Sequence, residues 1–205
     1  AVSDAASACG YREVLFTGLD AAYSDLMVDV EATFARSGSN YLIFVSLDRA
    51  TAEAGLRLGL RIVMLQVENA TKKEMIYLAK YYTASLLCEA QIRFLFFEMD
   101  IWMPRREGQS ILDVFRAAAA SRRAFLGPPA AAWALHTDNP YIINAGIYYI
   151  RPDVDPLRPL LLFEAIVSYS RRLPIFDQGL MNCLLKLSAS PNPGLRFIRE
   201  RDSCH

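Results

Sequence analysis

"RFLFFEMDIWMP", residues 93–104, decides the fold. Four apolar residues, Phe94-Leu95-Phe96-Phe97, run straight into two carboxylates, Glu98 and Asp100, with Met99 between them. Side chains alternate across a strand, so four large apolar residues in a row cover both of its faces, as on an inner strand of a parallel sheet. Carboxylates at the end of such a strand are costly unless they reach water, a partner or a cation.

Upstream the same pattern recurs. "EVLFTG" (13–18), "NYLIFVSLD" (40–48) and "LRIVMLQV" (60–67) read as buried strands. Helical patterns separate them. "LDAAYSDLMVDVEATFARSG" places Ala22, Leu26, Val30 and Phe34 on one face, "RATAEAGLRLG" makes a short helix, and "ATKKEMIYLAKYYTASLLCEAQ" (70–91) is the longest helix pattern. Strand and helix in alternation predict an α/β fold with a mostly parallel central sheet and helices on both faces. The second half is more mixed. "SILDVFRAAAASR", "DPLRPLLLFEAIVSYSRR" and "FDQGLMNCLLKLS" read as helices, and "AAWALH" (131–136) as an inner strand. "YIINAGIYYIRP" (141–152) is a strand interrupted at Asn144-Ala145-Gly146, and "LRFIRER" reads as a closing strand. No repeat, low-complexity tract or linker divides the chain, so 1–205 reads as a single domain.

With 22 Lys plus Arg against 22 Asp plus Glu, no net field draws nucleic acid or an anionic membrane. The pairs Arg105-Arg106, Arg122-Arg123 and Arg171-Arg172 leave room for a local basic groove. A hydrophobic content of 53% excludes a disordered chain. No apolar stretch approaches the roughly 20 residues that span a bilayer, and no signal-peptide pattern opens the chain. The missing initiator Met reads as an excised or processed piece. The four cysteines lack metal-type spacing, and Cys88 and Cys183 fall in helical patterns as small packed hydrophobes. Asn69-Ala70-Thr71 fits the N-glycosylation acceptor pattern, and the redox compartment stays open.

If the fourth strand runs straight through, Glu98 and Asp100 share a face, roughly 6.5–7 Å apart at about 3.3 Å per residue. Both then reach one cation at the carboxyl edge of the sheet, where open α/β sheets bind ligands, and a hard divalent ion suits their oxygens. The same pair also reads as a solvated strand exit, with Asp100 in a turn. A glycosidase pair fits less well, because those carboxylates flank the scissile bond from opposite sides. Elsewhere the local readings are plain. Asp177 precedes an apolar helical run as an N-cap, Asp138 in "HTDNP" makes a turn, and His136 lies at a core edge. Lys80 reads as a solvated helix lysine, and Asn144-Ala145-Gly146 as a bulge or turn.

Three stretches in order, "FFEMDIWM" (96–103), "NAGIYYIRP" (144–152) and "FDQGLMNCLL" (176–185), resemble the nucleotide-diphospho-sugar transferase family. That group contains the plant cell-wall xylosyl- and arabinosyltransferases. "LIFVSLD" (42–48) and Lys80 match in place, so the likeness covers nearly the whole chain. The resemblance implies a GT-A-like, Rossmann-like fold and a retaining glycosyltransferase. Such an enzyme moves a sugar from a UDP-sugar to a hydroxyl of a glycan or glycoprotein.

The resemblance also implies a divalent cation, Mn2+, at a DxD-like motif formed by Asp100 and by Glu98, which stands where many relatives have Asp. Lys80 would add positive charge to the leaving diphosphate, while Asp48 and Asp138 would bind the substrate. Asn144 would offer donor and acceptor to sugar hydroxyls, and Gly146 would let the ligand approach the backbone. Asp177 and Gln178 would lie by the anomeric carbon. Relatives work in the Golgi lumen behind a membrane anchor. One departure stands out: such enzymes often take a further metal ligand, a His, from beyond the last helices. This chain stops at "RDSCH" with His205 terminal, which reads as truncation at the C-terminus. The alternative is a non-catalytic carbohydrate- or nucleotide-sugar-binding domain on the same fold. A metal-dependent hydrolase ranks third, since it would want a water-activating base and the only histidines are His136 and His205.

Overall fold

The computed structural model describes residues 13–36, 41–66, 71–100, 110–120, 131–136, 139–170, 172 and 177–188. The strands are β1 (Glu13–Leu19), β2 (Leu42–Ser46), β3 (Ile62–Met64), β4 (Arg93–Phe97), β5 (Ala131–His136) and β6 (Asn139–Ile150). They form a sheet in the order β3-β2-β1-β4-β6-β5. β1 pairs in parallel with β2 and β4, and β2 with β3, whereas β6 is antiparallel to both β4 and β5. Among the described strands β6 alone therefore runs against the rest. The chain steps outward from β1 to β3 and then returns to set β4 on the other side of β1. Crossovers leaving in opposite directions open a crevice at the carboxyl ends of β1 and β4.

The helices are α1 (Met27–Arg36), α2 (Arg49–Arg57), α3 (Lys72–Tyr77), α4 (Thr83–Glu89), α5 (Ile111–Ala120), α6 (Leu157–Ser170) and α7 (Asp177–Ser188). A 3-10 turn, Ala21–Leu26, leads into α1, and a π segment, Leu78–Tyr82, joins α3 to α4. Helices cover both faces of the sheet, as the alternation predicts. On one face Phe16, Phe94, Phe96 and Tyr148 pack against Tyr81, Leu87, Phe163 and Leu180. On the other Leu15, Leu95, Phe97 and Tyr149 meet Met27 and Phe34 of α1 and Leu112 and Phe115 of α5. Each fully buried Phe contributes about 1.5–3 kcal/mol, so the aromatic strands supply much of the core.

Local departures have physical causes. In α1 the buried residues are Met27 and Phe34, and Leu26 is exposed. The 3-10 turn takes three residues per turn, so spacing by four does not hold one face through it. β3 is only three residues long and half-buried, as suits an edge strand. Cys88 is free and buried, and burial pushes its thiol pKa up. Cys183 is disulfide-bonded rather than a small packed hydrophobe, a pairing that helical periodicity cannot signal. The segment "LRFIRER" lies outside the described residues.

Candidate functional site

β4 ends at Phe97, one residue before the acids. Glu98 N–H still donates to the Gly146 carbonyl on β6 at 2.8 Å. Residues 99 and 100 form a turn, yet Met99 stays buried on the α1/α5 face with Leu95 and Phe97 while Asp100 is exposed. Glu98 and Asp100 both line one crevice beyond the end of the strand.

Lys80 lies in the π segment with only 3% of its surface exposed. A buried ammonium needs counter-charge. Its Nζ donates to Glu98 Oε1 at 2.7 Å and to Asp177 Oδ2 at 2.6 Å. The rings of Phe96 and Tyr81 flank it, with centroids at 5.1 and 5.3 Å. The Tyr81 hydroxyl donates to the same Asp177 Oδ2 at 2.9 Å. Asp177 opens α7, and its Oδ1 accepts the Gln178 N–H at 2.8 Å. Burial pushes the Asp177 carboxyl up, but the Lys80 ammonium and these hydrogen bonds overcome that and hold it below its ordinary value. Burial first, then the Asp177 charge, raises the Tyr81 phenol well above its usual range, so it remains a donor.

The Asn144-Ala145-Gly146 interruption is a bulge within one continuous strand. The register jumps from Trp133 opposite Tyr148 to Ala134 opposite Asn144. Asn144 Oδ1 accepts the Gly146 N–H at 2.8 Å, and Gln178 Oε1 accepts the Ala145 N–H at 3.3 Å. One turn along α7, Asn182 accepts the Ile143 N–H at 2.7 Å and donates to the Ile143 carbonyl at 2.9 Å. It also donates to the Gln178 carbonyl at 2.7 Å. These contacts close a polar ring. It runs from the Glu98 side chain through Lys80, Asp177 and Gln178 to the β6 bulge, and back to the Glu98 backbone.

Six of the predicted site residues meet in this ring: Lys80, Glu98, Asn144, Gly146, Asp177 and Gln178. Asp100 lines the adjoining crevice with Gly18, Asp20, Tyr23, Ala79 and Phe96. A Cβ on Gly18 would stand 3.2 Å from Ala79 Cβ, so two small residues let the π segment lie close on β1. Asp48 sits apart and caps α2, accepting the Thr51 N–H and hydroxyl at 2.8 Å each. Asp138, His205, the pairs 105–106 and 122–123, and Arg171 lie outside the described residues. Tyr81 carries no role in the sequence reading, and Asn182 enters it only as the last member of the Asp-Gln-x-x-x-Asn pattern in "FDQGLMNCLL". For Asn182 the usable signal is its i+4 spacing from Gln178 on one helix face; for Tyr81 there is none.

Three carboxylates, Asp20, Glu98 and Asp100, line the crevice with one ammonium, that of Lys80. All-oxygen donors suit a hard divalent ion, which would take its remaining ligands from phosphate and water. Among the described residues no group of three or more His, Cys, Asp or Glu side chains gathers to hold a metal. Nor is any helix there long and apolar enough to cross a membrane.

No family model and no curated protein matches the chain. Among solved structures it is similar to CMP:2-keto-3-deoxy-manno-octonic acid synthetase complexed with CTP. Identity is 14% over 86% of this chain and 84% of that chain, with a TM-score of 0.40. What a fold of this kind does is decided by the side chains at its site.

Proposed function

We propose that the crevice binds a nucleotide sugar and that the chain is a GT-A-type glycosyltransferase. It would pass a sugar from a UDP-sugar to a hydroxyl of a glycan or glycoprotein, with retained configuration. One observation carries this reading. At the carboxyl edge of the parallel strands, Lys80 joins Glu98 after β4 to Asp177 of α7. That edge, beside the point where the crossovers diverge, is where open α/β sheets hold ligands.

The charge balance of the crevice calls for a cation with any diphosphate. Asp100, with Glu98 beside it, would hold Mn2+, which supplies neutralising charge to the departing diphosphate. Asp177 stays ionised at neutral pH, and both its oxygens already accept hydrogen bonds. Its part is electrostatic, a fixed negative charge for the positive character that develops on the sugar. Asn144 and Gln178 bring amides to the same edge, suited to sugar hydroxyls. The Cys183 disulfide supports an oxidising compartment such as the Golgi lumen.

The test is calorimetric titration of the chain with UDP, first in Mn2+ and then in EDTA. Binding in Mn2+ that disappears in EDTA is expected. Equal binding in both removes the cation, and no binding in either removes the donor site. Donor binding with no transfer to any hydroxyl acceptor would leave the non-catalytic alternative.

A further inference from the structure

Lys80 and Tyr81 are adjacent in sequence, yet both donate to one oxygen, Asp177 Oδ2, at 2.6 and 2.9 Å. Successive side chains leave an α-helix axis about 100° apart and a π turn only slightly less, so neighbours meet a common target only when both side chains are long. Here both residues lie in the π segment Leu78–Tyr82. Such bulges are rare, and they occur frequently at functional sites.

Packing leaves neither donor free to wander. Lys80 is 3% exposed and Tyr81 not at all, its ring stacked on Phe163 at 6.2 Å between centroids. The Asp177 carboxylate is engaged on both oxygens, so it cannot rotate without losing a charge-assisted hydrogen bond. The next residue, Gln178, reaches the Ala145 N–H of the β6 bulge.

We propose that Lys80 and Tyr81 are positioning residues. Both reach Asp177 from the π segment, and by fixing that carboxylate they set the first turn of α7, with Gln178, against β6. This gives Tyr81 a role, and gives Lys80 a different one from contact with the leaving diphosphate. The ligand side of the inference rests on the nucleotide-sugar reading above. Asp177 and Gln178 serve the sugar rather than the nucleotide, so losing their position weakens a sugar-bearing donor more than UDP.

Two measurements on the full chain test it. The first is amide hydrogen exchange in wild type, Lys80→Met and Tyr81→Phe, the last removing a single oxygen from a packed ring. The Gln178 and Ala145 amides are expected to lose protection by roughly tenfold or more, while Phe16 and Phe44 in the central strands keep theirs. Unchanged protection at 145 and 178, or a loss spread evenly over the sheet in Tyr81→Phe, overturns the proposal. The second is calorimetry in Mn2+ with UDP and with the tightest of UDP-xylose, UDP-arabinose and UDP-galactose. Tyr81→Phe is expected to weaken the sugar donor by roughly tenfold and to leave UDP within about twofold. Equal losses, or none for either ligand, overturn the donor-site role. If wild type binds none of these compounds the nucleotide-sugar reading falls, and the exchange result still decides whether Lys80 and Tyr81 hold α7.

Discussion

Lys80 Nζ stands 2.6 Å from Asp177 Oδ2 across 97 positions of sequence, and the polar ring is organised around that contact. The second partner of Lys80, Glu98, is the more open of the two: its side chain is 44% exposed against 28% for Asp177. Water can replace Glu98 at the ammonium more readily than it can replace Asp177.

Removing either carboxylate should therefore cost unequally. Asp177→Asn is expected to lower stability by about 2–3 kcal/mol, because it leaves a buried ammonium short of charge. Glu98→Gln should cost under about 1 kcal/mol, like an exposed pair. Urea denaturation of both variants measures the difference, and equal losses would contradict this ordering.

The pH dependence follows from the sign of the Asp177 shift. Its folded carboxyl titrates below the ordinary Asp value of about 3.9. Its stabilisation is therefore complete above that value and is lost as pH falls through the folded pKa. The gap in Tm between wild type and Asp177→Asn should narrow as pH drops from about 5 toward the bottom of the titration. A gap that stays constant over the acid limb would count against the ion pair.

Asp100 and Asp48 should separate cleanly. Asp100→Asn, at an exposed position, should change stability by less than about 0.5 kcal/mol and abolish Mn2+-dependent UDP binding. Asp48→Ala should cost about 1 kcal/mol through loss of the α2 cap and leave UDP affinity unchanged. Calorimetry beside thermal melts reads both; a fall in UDP affinity for Asp48→Ala would return that residue to the donor site.

Gly18→Val tests the close approach of β1 and the π segment. With Ala79 Cβ only 3.2 Å from the added Cβ, the branched side chain should force them apart and cost about 1–3 kcal/mol. It also narrows the crevice, so UDP binding should weaken. Normal stability and binding would show that the strand and helix can part freely.

Asn182→Leu strips partners from the Ile143 N–H and carbonyl and from the Gln178 carbonyl. A loss of at least about 2 kcal/mol is expected, since unsatisfied buried groups cost roughly 1–3 kcal/mol each. A near-neutral melt would mean that water enters behind the bulge.

The sequence alone determined the elements whose signal is local. Phe94 to Phe97 read as an inner strand because every side chain there is apolar, and the periodicities of α5, α6 and α7 show in the chain itself. It also placed carboxylates at the carboxyl edge of β4, where the ladder stops. Only the tertiary structure decided what those groups do. The ladder stops at Phe97, Met99 keeps to the face of Leu95 and Phe97, and Glu98 and Asp100 come to line one crevice. Lys80 reads as solvated in sequence and is buried in space, since its two counter-charges come from Glu98 and Asp177, distant segments that no periodicity links. Lys80 and Tyr81 meet on one oxygen of Asp177, a target so far along the chain that helical spacing cannot express it. Local spacing set the strands and helices. Long-range electrostatics, acting where the folded chain brought opposite charges out of water, set the site.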